Sequence, residues 1–199
     1  PELFQCLLVS ETWKVLARNV LIKRWKGKLL QVCLRGGTKI LQLLLDHSET
    51  NIDLKVRINV HLGWTGFMVA CRQGHRDLVK LILDKYSDRN IDLNAKDNRG
   101  TTAFMLACFE RHIDVVKFLL DYSNIDPNAK DNDGWTAFMR ACAYGNIEVV
   151  KLLLNCSDRN IDLNAKNLRG MTAFMIACEW YRKDVIKLIL DHSSDRNID

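Results

Sequence analysis

The sequence predicts an all-α solenoid built from repeated helix–turn–helix units. Four segments share the pattern G-x-T-[AG]-F-M-x-A-C, and each is followed by an aliphatic run similar to V-[VI]-K-[LF]-[LI]-L. The segments begin at Gly63, Gly100, Gly134 and Gly170, at spacings of 37, 34 and 36 residues. A period in this range indicates stacked repeats, because each unit can bury its apolar face only against its neighbours. The extra residues of the longer units fall before a recurring I-D-[LP]-N-A-K, which indicates a loop.

Within each unit, apolar residues follow helical spacing in two short bursts. In the third unit these bursts cover residues 138–142 and 147–154, and Tyr144-Gly145-Asn146 separates them. A threonine stands where each first helix begins and can accept a backbone N–H of the first turn. The glycine two residues earlier favours a turn with positive φ. We therefore expect a hairpin-like finger, a capped helix, a tight turn and a second helix in every unit. The capping threonines are Thr65, Thr102, Thr136 and Thr172.

Residues 131–146 read DNDGWTAFMRACAYGN and resemble the ankyrin signature D-x-x-G-x-T-P-L-H-x-A-A-x-x-G-H. The resemblance recurs in phase and covers residues 61–199. Alanine or glycine replaces the proline, phenylalanine the leucine, and methionine the histidine whose ring would bond the cap threonine. A larger apolar core is expected to offset that lost polar ordering. The resemblance implies an ankyrin-repeat solenoid that binds other proteins in a concave groove.

Two further stretches belong to the repeat array by pattern. Residues 28–60 form a degenerate first repeat, with one helix at residues 29–33, a second at 40–45, and no Gly-x-Thr finger. Residues 61–199 hold four repeats, of which the last is incomplete, because the sequence stops in a loop that elsewhere leads to another finger. The last helix is as apolar at residues 185–190 as the internal ones. We therefore expect further repeats in the natural protein and self-association through this apolar end.

Residues 1–27 follow a different pattern. Their apolar stripe at helical spacing consists of Trp13, Leu16, Ala17, Val20 and Leu21. Residues 4–25 resemble the C-terminal half of an F-box, with matches at Leu8-Val9-Ser10, Trp13, Leu16-Ala17 and Trp25. This resemblance implies a Skp-type adaptor as a partner and a role as substrate receptor of an F-box type ubiquitin ligase. The alternative is a helix that only caps the first repeat, in a structural scaffold or host-interaction effector without a ligase role.

Charge and composition limit the other classes of function. Residues 11–40 hold eight basic residues against Glu11 alone, which allows nucleic-acid binding, but a single helix with a solvated basic face is the commoner cause. Nucleic acid is therefore an unlikely partner. No apolar run approaches the roughly 20 residues needed to cross a bilayer, so no membrane span is expected. The seven cysteines include no C-x-x-C, which favours a reducing, intracellular location in cytoplasm or nucleus.

The sequence predicts neither a catalytic site nor a metal or cofactor site. Cys71 with His75, and Cys108 with His112, have the spacing of a ligand pair, but two ligands do not make a zinc site. Five cysteines occupy the same slot at the end of the first helix, which indicates small buried packing residues. They are Cys33, Cys71, Cys108, Cys142 and Cys178. Arg140 stands where the other units have apolar residues, and a local ion pair is the favoured interpretation.

The finger tips and the ends of the first helices vary between units while the core slots do not. In ankyrin proteins these variable slots line the groove that holds partners, and here they carry large aromatic residues with arginine, the types enriched at interface hot spots. For each tryptophan the alternative is packing against an adjacent finger. The predicted partner-binding residues are Leu62, Trp64, Arg72, Arg99, Phe109, Asp133, Trp135, Tyr144, Arg169, Met171 and Trp180.

Overall fold

The computed structural model describes residues 29–46, 57–59, 62–86, 92–122, 124–156 and 159–193. Within them the predicted all-α repeat solenoid is confirmed: the helices come in pairs, and a short hairpin precedes the second pair. The F-box-like or capping segment at residues 1–27 lies outside the described residues. The division of the chain at residue 27 therefore stays a prediction.

The helix pairs stack in two layers. First helices contact first helices, and second helices contact second helices, from each unit to the next. The first helices are α1 (Leu29–Leu34), α3 (Gly66–Arg72), α5 (Ala103–Phe109), α7 (Ala137–Tyr144) and α9 (Ala173–Glu179). The second helices are α2 (Thr38–Asp46), α4 (Arg76–Tyr86), α6 (Ile113–Leu120), α8 (Ile147–Leu154) and α10 (Lys183–Ser193). The hairpin pairs β1 (Arg57–Asn59) antiparallel with β2 (Trp64–Thr65).

The predicted threonine caps are all present. In each unit the threonine hydroxyl accepts the backbone N–H of the methionine three residues later, at 3.2 to 3.4 Å. At the start of α3 the sulfur of Met68 also lies 3.5 Å from the backbone nitrogen of Thr65 and accepts its N–H. Methionine therefore retains, in this unit, part of the polar ordering that we expected the loss of histidine to remove.

Each finger is a compact turn that bonds to the next finger. The finger glycines have φ of 73° to 79°, as the sequence predicts. Inside the third finger, the Asp131 carboxylate accepts the backbone N–H groups of Asp133 and Trp135. Between fingers, the backbone nitrogen of Leu168 donates to the Asp133 carbonyl at 3.0 Å, and a Cβ built on Gly134 would lie 2.8 Å from that nitrogen. Glycine is required there by close approach as well as by φ.

A second set of inter-unit hydrogen bonds explains the recurring N-A-K loop. The Asn94 side chain donates to the Asn124 carbonyl at 2.7 Å and accepts the Asp126 backbone N–H at 2.8 Å. Asn128 makes the equivalent two bonds to the following loop. The loop asparagine therefore ties each unit to its successor, which gives the repeated motif a structural reason.

Four of the five aligned cysteines are buried, as predicted, but Cys178 is exposed. Cys33, Cys71, Cys108 and Cys142 each lie between two first helices and have no exposed area. Among the described residues no helix packs against the far side of α9, so the same slot faces solvent there. Met175, which is 50% exposed, differs for the same reason from its buried counterparts in the earlier units.

Candidate functional site

The residue after each helix–helix turn bonds back to the preceding unit. The ring Nε2 atoms of His75 and His112 lie 2.9 and 2.8 Å from the carbonyls of Leu34 and Arg72, and a carbonyl only accepts, so the rings donate. These histidines therefore contribute to stacking rather than to a ligand pair with cysteine. Asn146 and Arg182 occupy the same slot and bond carbonyls of the unit before them.

The predicted site residues form two rows, one on the fingers and one at the ends of the first helices. In the finger row, Leu62, Trp64, Trp135 and Met171 are half-buried, whereas Arg99, Asp133 and Arg169 are exposed. In the helix row, Arg72 is half-buried and Phe109, Tyr144 and Trp180 are exposed. Side chains of the two rows meet where the Arg72 guanidinium lies over the Trp64 ring.

Trp64 is tied to its surroundings on two sides. Its indole Nε1 donates to Oδ2 of Asp97 in the next finger at 3.0 Å, and the Arg72 guanidinium lies 4.7 Å above its ring. Trp64 thus has the packing contact with an adjacent finger that was the alternative to a binding role.

Arg140 is a polar side chain in a slot that is apolar in the other units. It has an acceptor close by on its own finger. Its guanidinium forms an ion pair with Asp131, whose carboxylate is 1% exposed, and it lies 5.8 Å from the centroid of the Trp135 ring. The predicted local ion pair is therefore confirmed. Asp131 in turn fixes the finger through its other oxygen, so Arg140 orders the finger on which Trp135 stands.

The fourth finger carries an amide where the second and third carry a carboxylate. Oδ1 of Asn167 accepts the backbone N–H groups of Arg169 and Met171, just as Asp97 and Asp131 do in their own fingers. Its Nδ2 is buried and has no hydrogen-bond partner. In the other two fingers the corresponding oxygen accepts from a tryptophan or an arginine.

Two arginines of the two rows form ion pairs with glutamates at the ends of first helices. Arg72 pairs with Glu110 at 3.0 Å, and Arg169 with Glu179 at 3.0 Å. Partly exposed pairs of this kind stabilise by at most about 1 kcal/mol. The main effect of these ion pairs is to hold the long arginine side chains in place along the fingers. They also leave little net charge on this surface.

The three exposed aromatic residues of the helix row form one continuous surface. The Phe109 and Tyr144 ring centroids are 4.9 Å apart and those of Tyr144 and Trp180 5.7 Å apart, both pairs edge-on. Their exposed fractions are 36%, 40% and 41%. Edge-on pairs contribute about 0.5–1.5 kcal/mol beyond area burial, so this geometry is largely preformed. We call Phe109, Tyr144 and Trp180 the aromatic ridge.

Beside the ridge stand two residues that the sequence analysis missed. Arg111 and Tyr181 have φ of 65° and 53°, in the turn position where the three other units have Gly36, Gly74 and Gly145. Left-handed backbone costs an L-residue about 1–2 kcal/mol. Aligning the units at this turn would have found them, because arginine and tyrosine stand in a glycine slot.

Comparison with known families agrees with this architecture. The family model described as ankyrin repeats (3 copies) matches residues 29–131 and 123–199. The chain belongs to the ankyrin-repeat family. No curated protein matches it. Ankyrin repeats support a role as a protein–protein interaction module, and proteins built from them are typically non-enzymatic.

The buried cysteines of the ankyrin core are protonated thiols. Burial raises the pKa of Cys33 to about 12 and also raises the pKa of Cys71, Cys108 and Cys142. A thiol that stays protonated is a poor nucleophile and a poor metal ligand. Across the described part of the chain, no three potential metal-ligating side chains cluster. In that same part, no helix has the length and apolar composition that would let it cross a membrane.

Proposed function

We propose that this ankyrin chain holds a protein partner against its fingers and the ends of its first helices. The observation that carries the proposal is the aromatic ridge, a continuous apolar surface exposed on a solenoid whose other large side chains are mostly buried. Interface hot spots are enriched in tryptophan, tyrosine and arginine. Core packing does not require the ridge residues, because the first repeated unit carries Arg72 and Gln73 in their place.

The proposed binding residues include the finger residues as well as the ridge. Half-buried Trp64 and Trp135 present an edge to the partner while they pack on the fingers, and exposed Arg99, Asp133 and Arg169 supply polar contacts at the rim. No catalytic step is proposed, and no cofactor.

The test compares what the full chain and two variants capture from the source cell. The ridge variant is Phe109→Ala with Tyr144→Ala and Trp180→Ala, which leaves half-buried Trp135 in place to preserve the fold. Truncating a hot-spot residue costs more than about 1 kcal/mol of binding free energy, so we expect loss of at least tenfold in captured partner. The melting temperature should change little.

The matched control removes an aromatic pair from the second-helix layer. Phe118 and Tyr122 lie edge-on at 5.2 Å, and their combined alanine variant should retain the partner. If the control loses the partner and the ridge variant keeps it, the binding surface is the second-helix layer and the proposal is wrong.

We further propose that residues 1–27 engage a Skp-type adaptor, which would make the chain the substrate receptor of an F-box type ubiquitin ligase. The F-box-like residues of the sequence support this. Recovery of an adaptor and a cullin by the full chain, and their loss on deletion of residues 1–27, is the expected result. An unchanged set of proteins after deletion would favour a structural scaffold or host-interaction effector without a ligase role.

We also propose that the chain works in a reducing, intracellular compartment, in cytoplasm or nucleus. Support comes from the cysteines of the described residues, all of which carry free thiols although four of them are stacked in neighbouring units. Self-association through α9 and α10 is a second proposed contact, supported by exposed Met175, Tyr181 and Leu190 at that end.

A further inference from the structure

Arg111 and Tyr181 hold left-handed backbone at the turn between the two helices of their units. Glycine occupies this position at Gly36, Gly74 and Gly145, with φ of 64° to 73°. Arg111 is exposed although a further unit follows it, so its side chain does not offset its strained backbone by burial, and Tyr181 in the last described unit is 85% exposed. Strain that packing does not explain is a reason to look for a function.

Whether a side chain fits at this turn position depends on the residue that the next unit places against it. A Cβ built on Gly74 would lie 2.4 Å from the ring of His112. Arg111 faces the smaller Asn146, and its Nε donates to the Asn146 side-chain oxygen. The exchange of histidine for asparagine in one unit thus makes room for arginine in the unit before it, two residues after Phe109 of the ridge.

Two guanidinium groups flank the ridge without a carboxylate. Nε of Arg182 donates to the Ala143 carbonyl at 2.7 Å, and Arg111 donates to an amide oxygen, so both acceptors are neutral. Neither arginine forms an ion pair within the described part of the chain, in contrast to Arg72, Arg140 and Arg169. At the turn edge of the ridge, the two guanidinium groups therefore have no ionic partner among the described residues.

Two of the acidic residues at the starts of the second helices lie in the second-helix layer. Glu148 pairs with Lys151 on its own helix at 3.1 Å. Asp184 lines the cleft between α8 and α10 together with Lys151 and Lys187. In the described part of the chain, neither carboxylate forms an ion pair with Arg111 or Arg182.

We propose that the ridge with Arg111, Tyr181 and Arg182 docks an acidic segment of the partner that carries aromatic or aliphatic anchor side chains. The anchors pack on the ridge, where desolvated rings supply most of the affinity. The carboxylates meet the two guanidinium groups, which fix the direction of the segment and speed its association. This inference rests on the proposed function and specifies the chemistry of the partner.

The test uses the full chain and a fluorescein-labelled nonapeptide in which glutamate alternates with phenylalanine or leucine. Fluorescence anisotropy should show binding that weakens with salt, and the same peptide with lysine in place of glutamate should not bind. Arg111→Gly should weaken binding about tenfold, since it removes a charge at the contact. Its melting temperature should stay close to that of the parent, because glycine relieves the left-handed strain.

Tyr181→Gly and Lys187→Ala complete the design. Tyr181→Gly should also weaken binding without loss of stability. Lys187→Ala removes the same charge from the second-helix layer and should leave affinity within about twofold, because exposed charges this far apart are screened. Equal loss in Lys187→Ala and Arg111→Gly would overturn the proposal, since it would indicate general attraction.

Two more outcomes separate this inference from its alternatives. If a single-stranded oligothymidylate binds with Arg111-dependent affinity and the acidic peptide does not, the site takes nucleic acid and the proposal fails. If the captured cellular partner depends on the ridge but not on Arg111 and Tyr181, the proposed function stands and the acidic docking site does not.

Discussion

At the scale of single residues, one side chain in each of the second, third and fourth fingers holds the backbone of that finger in its turn. Asp97 accepts two backbone N–H groups with one oxygen and the Trp64 indole with the other. Asn167 fills the backbone role equally well, but its buried Nδ2 has no acceptor. A buried donor without a partner costs about 1–3 kcal/mol. The fourth finger is therefore expected to be less stable than the second, because the buried Nδ2 of Asn167 has no acceptor.

We expect Asn167→Asp to raise the free energy of unfolding at pH 7 by about 1 kcal/mol, because the substitution removes the unpaired donor and keeps the backbone acceptor. The matched substitution Asp97→Asn should lower it by about 1–2 kcal/mol, because the Trp64 indole loses its acceptor. Urea denaturation measures both. A decrease in the first variant, or no change in the second, would contradict this account of the fingers.

At the scale of elements, the residue at the turn between the two helices determines how closely the next unit can pack. Gly36 faces the His75 ring and Gly74 the His112 ring, at 2.7 and 2.4 Å from a built Cβ. Gly145 faces the Arg182 side chain at 3.4 Å, which is an ordinary contact. A turn residue therefore has to be small where the next unit places a large ring against it.

A double-mutant cycle tests this matching. Gly74→Ala should cost about 2–3 kcal/mol of unfolding free energy, about 1–2 of it from the left-handed backbone and the rest from the His112 ring. His112→Asn should recover about 1 kcal/mol in the double variant, since contacting residues couple by this amount. Gly145→Ala is the control and should cost only the backbone contribution. Strict additivity of the first two changes would show that the turn and the ring do not interact.

The sequence predicted the helices, caps and fingers, because each is determined within one unit and recurs in four of them. The Arg140 ion pair was also predictable, from a polar side chain in an apolar slot. The edge-on contacts of the ridge were not, since they depend on how residues 35 or more positions apart meet across a unit interface. Cys178 was assigned to the core because its slot is buried elsewhere, but burial depends on the unit packed next to it.

At the scale of the whole molecule, stability is carried from unit to unit. First helices stack on first helices, fingers bond to fingers, and the N-A-K loops and turn residues bridge successive units. In such arrays stability is a sum of unit and nearest-neighbour contributions, so loss of one interface weakens the units on both sides of it. The face of α9 and α10 that no described unit covers carries Met175 and Leu190, which are 50% and 52% exposed.

That face is the expected site of self-association. Met175→Lys combined with Leu190→Lys should reduce any concentration-dependent association, because it places charge on an apolar surface, and it should leave the melting temperature within a few degrees. Sedimentation velocity over a wide concentration range measures the association. If the variant and the parent associate equally, the contact lies elsewhere on the solenoid.

The central claim is that the fingers and the first-helix ends hold the partner. Hydrogen–deuterium exchange of the chain with and without its captured partner tests it directly, since it reports every backbone amide at once. The account predicts slower exchange at the fingers, at the C-terminal ends of α5, α7 and α9, and at the turns of Arg111 and Tyr181, with α6, α8 and α10 unchanged. Protection confined to the second helices, with the ridge and fingers unaffected, would contradict it.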